Sequence, residues 1–380
     1  MHLLDKNLLK TNIGKAADYD FSNNKVFGSA YLVIQDNEVV YENCFGVTSI
    51  DKKEPVTKDT LFRLASMTKP ITAVAALILI ERGLLSLDDK VSKFLPEFKD
   101  IHIKQIDNSG NLIDLGKPEK EITILNLLTH TSGFGENEGK TQKLTVEDKK
   151  TADALIKFYY NMGLNFEPFS REQYSGVAAF DVLVKIIEMI TKTDYLSFLK
   201  KEIFEPIGMT NTTFIPSEEQ WKNVIAMHAK KNGENATQEM HENCVFVDYP
   251  CTHFLGGAGL VSSLSDYSKF AKMLLNNGKA ETSQIITEDT LNLMKTSYIL
   301  KNFEVKNQGW GLGVRVITDE SYDNLPVGSF GWSGAYGSHF WVDPSNKITA
   351  VFMKNSTFDG GGENESALNF EKAVKASFAN

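Results

Sequence analysis

Ser66-Met67-Thr68-Lys69 sets a hydroxyl and an amine three residues apart, which on a helix is one turn and one face. A serine hydroxyl is a weak nucleophile until a neighbour takes its proton, and a lysine within hydrogen-bond reach can be that base. Lysine normally titrates at about 10.4, and burial or nearby cations bring such a group toward the working pH. The pair therefore reads as a nucleophile with its base. A second Ser-x-x-Lys, Ser197-Phe198-Leu199-Lys200, lies in a Lys-rich amphipathic segment and reads as a solvated helix face. Cys44, Cys244 and Cys251 are odd in number and lack zinc-ligand spacing, and no His-x-x-x-His pair occurs among the seven histidines. No metal, cofactor or disulfide framework is expected. An α/β-hydrolase is disfavoured because the chain contains no Gly-x-Ser-x-Gly elbow.

The elements around the pair must hold it in place. Ala73 to Ile80 is apolar nearly all round, so the helix that carries Lys69 should be buried. Pro70 is tolerable only near a helix start, which puts Ser66 at or just before the first turn, and Gly83 is a natural stop. The hydroxyl and amine then stand at the positive end of a central helix, where a developing negative charge is favoured. Upstream, residues 3–18 read as an amphipathic helix, and Val26–Gln35 with Glu38–Gly46 as a hairpin turning at Asp36-Asn37. Gly83–Lys90 reads as a cap and a new helix start, 100–121 as loop or small hairpin, and Ile122–Leu128 as a helix ending in the tight Thr129–Gly135 turn. Residues 145–210 are helical in pattern, and Ser265-Asp266 caps a helix through Leu275. The tail is strand-like over Trp310–Val316, Ser329–Trp332, His339–Val342 and Ile348–Phe352, and Glu363–Phe378 closes as a helix.

These readings give an α/β (α+β) fold. An antiparallel sheet is built from N- and C-terminal segments and flanked by helices, with a mostly helical region inserted. The expected division is 1–65 with 245–380 as the sheet domain and 66–244 as the helical one. Ser66 then lies at the seam, where clefts form. The chain has 380 residues, 42% hydrophobic and 23% charged, with a formal net charge of −9. That composition is globular and argues against a nucleic-acid surface. The Lys/Glu mixtures at 117–121 and 147–150 read as exposed faces. No apolar run reaches membrane-spanning length and the first twenty residues lack a signal-peptide core, so a cytoplasmic protein is expected.

Several segments now invite comparison with a family. Ser66-Met67-Thr68-Lys69 resembles the first motif of the serine β-lactamase and penicillin-binding-protein superfamily. Leu127-Leu128-Thr129-His130-Thr131-Ser132-Gly133, Tyr174-Ser175-Gly176, Pro206-Ile207-Gly208-Met209, Gly256 through Ser263, and Gly331-Trp332-Ser333-Gly334-Ala335-Tyr336-Gly337 resemble its class C-like branch. That branch comprises the β-lactamase-related serine hydrolases and family VIII esterases. The segments follow the family's order from about residue 25 to the end. The resemblance implies Ser66 as nucleophile and Tyr174 as the tyrosine of the family's Tyr-x-Asn motif, sharing a proton with Lys69 and passing it to the leaving group. It sets Trp332-Ser333-Gly334 where the family has Lys-Thr-Gly, on the strand edging the cleft. The backbone N–H groups of Ser66 and Ala335 become the oxyanion hole. Tyr336, Phe134 and Gly360-Gly361-Gly362 are candidate pocket walls. The Gly256–Gly259 cluster reads as close backbone packing near the cleft. His130 reads as a hydrogen-bonder at a turn, and His339 as a lesser candidate for touching substrate.

Two departures bear on the substrate. Gly176 stands where β-lactamases have an asparagine holding the lysine and the substrate amide, and Trp332 replaces the cation that meets a substrate carboxylate. A buried anion without its partner is costly, so neutral or apolar substrates are favoured. Both changes are seen in the esterase branch. The resemblance therefore implies an acyl-enzyme carboxylesterase on small esters, or on an ester or amide of similar size. The alternatives are a class C-like β-lactamase or D-amino-peptidase/DD-carboxypeptidase, an acyltransferase, and a catalytically silent scaffold or sensor. No nucleic-acid or membrane partner is expected.

Overall fold

The computed structural model describes residues 2–135, 148, 151–238, 253–299 and 307–379. Cys244, Cys251, the proposed boundary at 244/245 and most of the 147–150 charge cluster lie outside them.

Helix α1 spans Lys6–Ser22 and is capped by Asp5, whose carboxylate accepts from the N–H groups of Asn7 and Leu8. Strands β1 (Gly28–Gln35) and β2 (Glu38–Gly46) follow as the expected hairpin. Asp36 and Asn37 both adopt positive φ in its turn, a conformation these two residue types tolerate. Then come the short β3 (Leu61–Arg63) and the buried helix α2 (Thr68–Glu81). The middle of the chain supplies α3 (Ile124–Leu128), α4 (Ala152–Met162) and α5 (Ala178–Thr191). It also holds two small hairpins, 104–106 with 112–114 and 227–231 with 234–238.

Strand β4 (Val261–Ser263) pairs with β3 and leads into α6 (Leu264–Leu275). The tail gives β5 (Gln308–Trp310), β6 (Arg315–Ile317), β7 (Phe330–Ser333), β8 (His339–Asp343), β9 (Ile348–Met353) and α7 (Glu365–Lys375). The main sheet is seven-stranded and antiparallel in the order β2-β1-β9-β8-β7-β6-β5. The first hairpin is thus annexed by the last strand, as a sheet built from both termini requires.

Both faces of this sheet are covered. Tyr31 and Val33 of β1 pack with Trp341, Phe352, α1 and α7, whereas Ala30, Leu32 and Ile34 join Phe340, Val342 and the larger core beneath α6 and α2. Strand alternation sends successive side chains to opposite faces, and here each face meets a helical layer. Every residue of β1 is accordingly buried. Among the described residues no helix is long and apolar enough to cross a membrane.

Three local expectations are corrected. Trp310–Val316 is not one strand: Gly311 N–H donates to the Val314 carbonyl at 2.9 Å, and β5 and β6 pair back on each other around that turn. Gly313 at its apex has φ +72°, and a Cβ there would stand 2.7 Å from Ala73 of α2, so the reversal presses directly on the central helix. The cap of α6 is Ser263, whose hydroxyl accepts from Asp266 N–H, rather than Ser265-Asp266. Gly83–Lys90 starts no α-helix; Ser86 and Asp89 close a turn followed by 3-10 segments at Val91–Lys93 and Pro96–Asp100.

Candidate active site

Ser66 sits in a single 3-10 turn, Ala65–Met67, that runs straight into α2. Ala65 enters it at φ +45°, a left-handed conformation that costs a non-glycine residue on the order of 1 kcal/mol or more. Burial overrides that cost: Ala65 is fully enclosed against Met227 and Tyr336. The N–H groups at this end of the helix are those without intrahelical partners.

One turn on, Lys69 is completely buried. A charge out of water needs a partner for each N–H, and Nζ has three acceptors: Ser66 Oγ at 3.3 Å, the Gly176 carbonyl at 2.6 Å and the Gly257 carbonyl at 2.9 Å. Those carbonyls arrive by separate routes. The Tyr174-Ser175-Gly176 loop is pinned to the turn after α3, because Gln173 N–H donates to the His130 carbonyl at 2.9 Å and Ser175 N–H to His130 Nδ1 at 3.1 Å. Burial, aided by the Lys69 charge, holds His130 well below the usual histidine range, so its ring is the neutral acceptor this bond needs.

The Gly256–Gly259 segment closes from the other side. A Cβ on Gly256 would lie 2.5 Å from the Phe180 carbonyl, and one on Gly257 3.3 Å from Lys69 Nζ. Close backbone packing is what these glycines permit. Behind them Asp181 of α5 accepts from the Tyr159 hydroxyl at 2.7 Å, and burial pushes its carboxyl up to about 7 against the pull of that bond and of Lys69.

Tyr174 completes the group. Its ring centroid is 4.9 Å from Lys69 Nζ, and its hydroxyl accepts from the Trp332 indole N–H at 3.3 Å. Trp310 stacks on the same ring at 5.7 Å and 23°, and meets Trp332 edge to face at 4.5 Å. Trp332 belongs to β7, whose approach depends on Gly334: a Cβ there would lie 2.4 Å from the Leu64 carbonyl, one residue before Ala65. After Gly334 the chain turns, with Gly334 N–H donating to the Ser338 carbonyl at 2.7 Å and Gly337 N–H to the Gly334 carbonyl at 2.9 Å. Ala335 is exposed in that turn, and its N–H has no partner among the described residues.

The structure therefore brings Ser66, Lys69, Tyr174, Gly176, Trp332 and Gly334 together. Ser333 is placed otherwise. Strand alternation turns it inward, where its hydroxyl bonds His339 Nδ1 at 2.8 Å and His339 Nε2 meets Glu371 at 3.0 Å. Glu371 also takes Arg315 at 2.9 Å and the Tyr322 hydroxyl at 2.8 Å. Burial alone would raise this carboxyl, but His339, Arg315 and Tyr322 together hold it at about 2. His339 is thus a structural group beneath β7, not a substrate contact. Tyr336, 6% exposed, braces Ala65 from behind. Phe134 is core, packed on Phe98 at 6.3 Å. Gly362 does lie at the cleft, where a Cβ would stand 3.4 Å from the Trp332 ring.

Sequence reasoning missed Trp310, Glu172, Asp181 and the Gly257 carbonyl. Asp181 alone had a signal, an acid in the first turn of a helix otherwise apolar as far as Lys185. Among the described residues no three His, Cys, Asp or Glu side chains converge as a metal site would need. A cleft of about 250 Å³ adjoins the site, lined by Glu172, Gln308, Trp310, Trp332 and Gly362 among others. A larger cavity, about 920 Å³ between α6 and the β1–β2 turn, shares no residue with it.

The family described as Beta-lactamase matches residues 13–373. Esterase EstB of Burkholderia gladioli is 27% identical over 386 residues, spanning 94% of this chain and 93% of EstB. An octameric penicillin-binding protein homologue from Pyrococcus abyssi is 26% identical and superposes with a TM-score of 0.71 over 94% of this chain and 76% of that one. EstCE1, a hydrolase with promiscuous acyltransferase activity, shares the fold with a TM-score of 0.81 at 24% identity, over 97% of this chain and 99% of its own.

Proposed function

Because the chain belongs to the Beta-lactamase family and is a serine hydrolase of that fold, we propose that it is a carboxylesterase acting on small esters through an acyl-enzyme. The observation that carries this reading is Trp332. It occupies the place where the resemblance sets a cation, and its indole N–H is spent on Tyr174. The nearby Arg315 is neutralised by Glu371. A substrate carboxylate entering here would be buried without a counter-charge, a cost of several kcal/mol that an ester does not incur. The likeness to EstB supports the same direction.

In the proposed reaction Ser66 Oγ attacks the ester carbonyl and Lys69 takes its proton. To act as base Lys69 must enter this step as the neutral amine, keeping two N–H groups on the Gly176 and Gly257 carbonyls and turning its lone pair to Ser66 in place of the third N–H. The N–H groups of Ser66 and Ala335 receive the oxyanion. As the tetrahedral intermediate collapses, the carbon–oxygen bond breaks and the proton passes by Lys69 and Tyr174 to the departing alkoxide. Water then repeats the sequence on the acyl-enzyme and releases the acid, restoring the Ser66 hydroxyl.

Short p-nitrophenyl esters and a chromogenic cephalosporin, assayed beside Ser66→Ala, test the reading. Ester turnover abolished by the substitution is expected, together with a serine-directed fluorophosphonate adduct on Ser66. Rapid cephalosporin turnover with negligible ester hydrolysis would replace this reading with a β-lactamase.

A further inference from the structure

The cleft beside Trp332 has walls of unusual chemistry. Glu172 is half-buried there, and one of its oxygens accepts from the Trp310 indole N–H at 2.6 Å. Among the described residues no Lys, Arg or His pairs with it. Burial pushes its carboxyl up, as expected of an acid lacking a counter-charge. Gln308 donates to Glu363 at 3.0 Å, and this leaves its own carbonyl oxygen buried with no donor. Arg315 reaches the lining, but Glu371 at 2.9 Å and the Tyr322 hydroxyl at 3.1 Å already hold its guanidinium. The remaining walls are the indoles of Trp310 and Trp332, the backbone of Gly309 and Gly362, and the exposed carboxylate of Glu363. The cleft thus offers aromatic rings, two carboxylates and an orphaned acceptor, and no uncommitted cation among the described residues.

A ligand that satisfies such a site brings positive charge and apolar substituents: the charge sits over an indole and beside a carboxylate. From the pairing of an uncompensated Glu172 with the Trp310–Trp332 corner, we infer that the preferred substrates are esters carrying an ammonium group, which seats in this cleft while Ser66 attacks the carbonyl. This inference rests on the esterase reading and narrows its substrate class. It also accounts for the loss of a cation at Trp332, since a lysine there would repel the same ligand. The ammonium can belong to the acyl part or to the alcohol part, and the two arms of the test below separate them.

Each arm compares a trimethylammonium substrate with its neutral tert-butyl isostere. The acyl arm uses p-nitrophenyl esters of 5-(trimethylammonio)pentanoic and 6,6-dimethylheptanoic acid. The alcohol arm uses butyryl esters of choline and of 3,3-dimethylbutanol. The expected result is a kcat/KM at least tenfold higher for the cationic member in one arm, with that ratio falling toward one in Glu172→Gln, which keeps an acceptor for Trp310. Ratios near one in both arms, or a ratio unchanged by Glu172→Gln, overturn the inference while Ser66-dependent turnover of the neutral esters leaves the esterase reading intact. If no ester is hydrolysed, the esterase reading fails separately. The cleft is then judged by tryptophan fluorescence: saturable quenching by tetramethylammonium over sodium at equal ionic strength, weakened at least fivefold in Glu172→Gln, keeps the cation site. Absence of that quenching removes it.

Discussion

The indole N–H of Trp332 donates to the hydroxyl of Tyr174 across 3.3 Å, linking the strand at the cleft edge to the loop that also carries the Gly176 carbonyl. A lone pair of the phenol oxygen is thereby occupied, and its own O–H has no acceptor among the described residues. Trp332→Phe deletes this donor together with one ring of the indole and leaves an aromatic face toward Tyr174 and Trp310. One neutral hydrogen bond is worth about 0.5–1.5 kcal/mol, so kcat on a p-nitrophenyl ester should fall roughly three- to tenfold with little change in melting temperature. An unchanged kcat would show that the bond does not orient the phenol.

Lys69→Met removes the proposed base while approximately filling its volume. Loss of a positioned base typically costs about a hundred- to ten-thousand-fold, and esterase kcat should drop within that span. Labelling of Ser66 by a fluorophosphonate should slow in parallel, which separates loss of nucleophile activation from loss of substrate binding.

Gly334→Ala forces a methyl to within 2.4 Å of the Leu64 carbonyl. Either β7 or the Ser66 turn must retreat. Overpacking of this kind costs about 1–3 kcal/mol, and the displacement falls on the seam that pairs the two proposed oxyanion donors. Ester turnover should therefore decline by more than tenfold even at temperatures well below the variant's melting point. A variant destabilised as expected but fully active would argue against Ala335 as a donor.

Asp181 supplies a pH test. Its carboxyl stands at about 7 in the folded protein against an ordinary value of 3.8. The native state therefore binds more protons than the unfolded chain between those values. The resulting stability is fully present below 3.8 and lost as pH rises through about 7, a change on the order of 4 kcal/mol. Asn at this position cannot ionise. Asp181→Asn should accordingly gain on the wild type in denaturant midpoint as pH increases from about 4 to about 8, and a difference independent of pH would contradict the assignment.

Glu371 titrates in the opposite sense. Held at about 2 rather than 4.5, it contributes stability that is present above 4.5 and lost as pH falls through about 2. Glu371→Gln leaves Arg315 buried without its counter-charge, and such breaks cost about 3–5 kcal/mol. Urea unfolding at neutral pH reads that loss directly. Substituting Arg315→Met in the same chain should recover part of it.

Those parts of the molecule governed by local periodicity were readable in the linear chain. The apolar run after Lys69, Pro70 near its start and Gly83 at its end defined α2 because burial of the whole helix leaves an unbroken hydrophobic trace. The first hairpin and the tail strands were visible for the matching reason, period-two alternation with turn residues between. The reversal at Gly311–Val314 was not, since its cause is the surface of α2 pressing on Gly313. Ser66, Lys69 and Tyr174, which the fold gathers in one place, leave a trace in residue type and motif. The Gly257 carbonyl had no such trace, because every residue carries one and only the fold aims it at Lys69. Trp310 and Glu172 escaped for a related reason: they lie 138 residues apart, and each alone is an unremarked surface or strand residue. Ser333 and Tyr336 show the converse: both stand in the motif beside the cleft, yet strand parity turns Ser333 onto His339 and packing turns Tyr336 onto Ala65.

Gly176 holds Lys69 through its main chain alone, and a Cβ added there would meet nothing within 4 Å. The Cα of this residue thus faces open space while its carbonyl stays on the lysine. A side chain at this exposed position is sterically free, so the clamp on Lys69 places no demand on the residue type that supplies it.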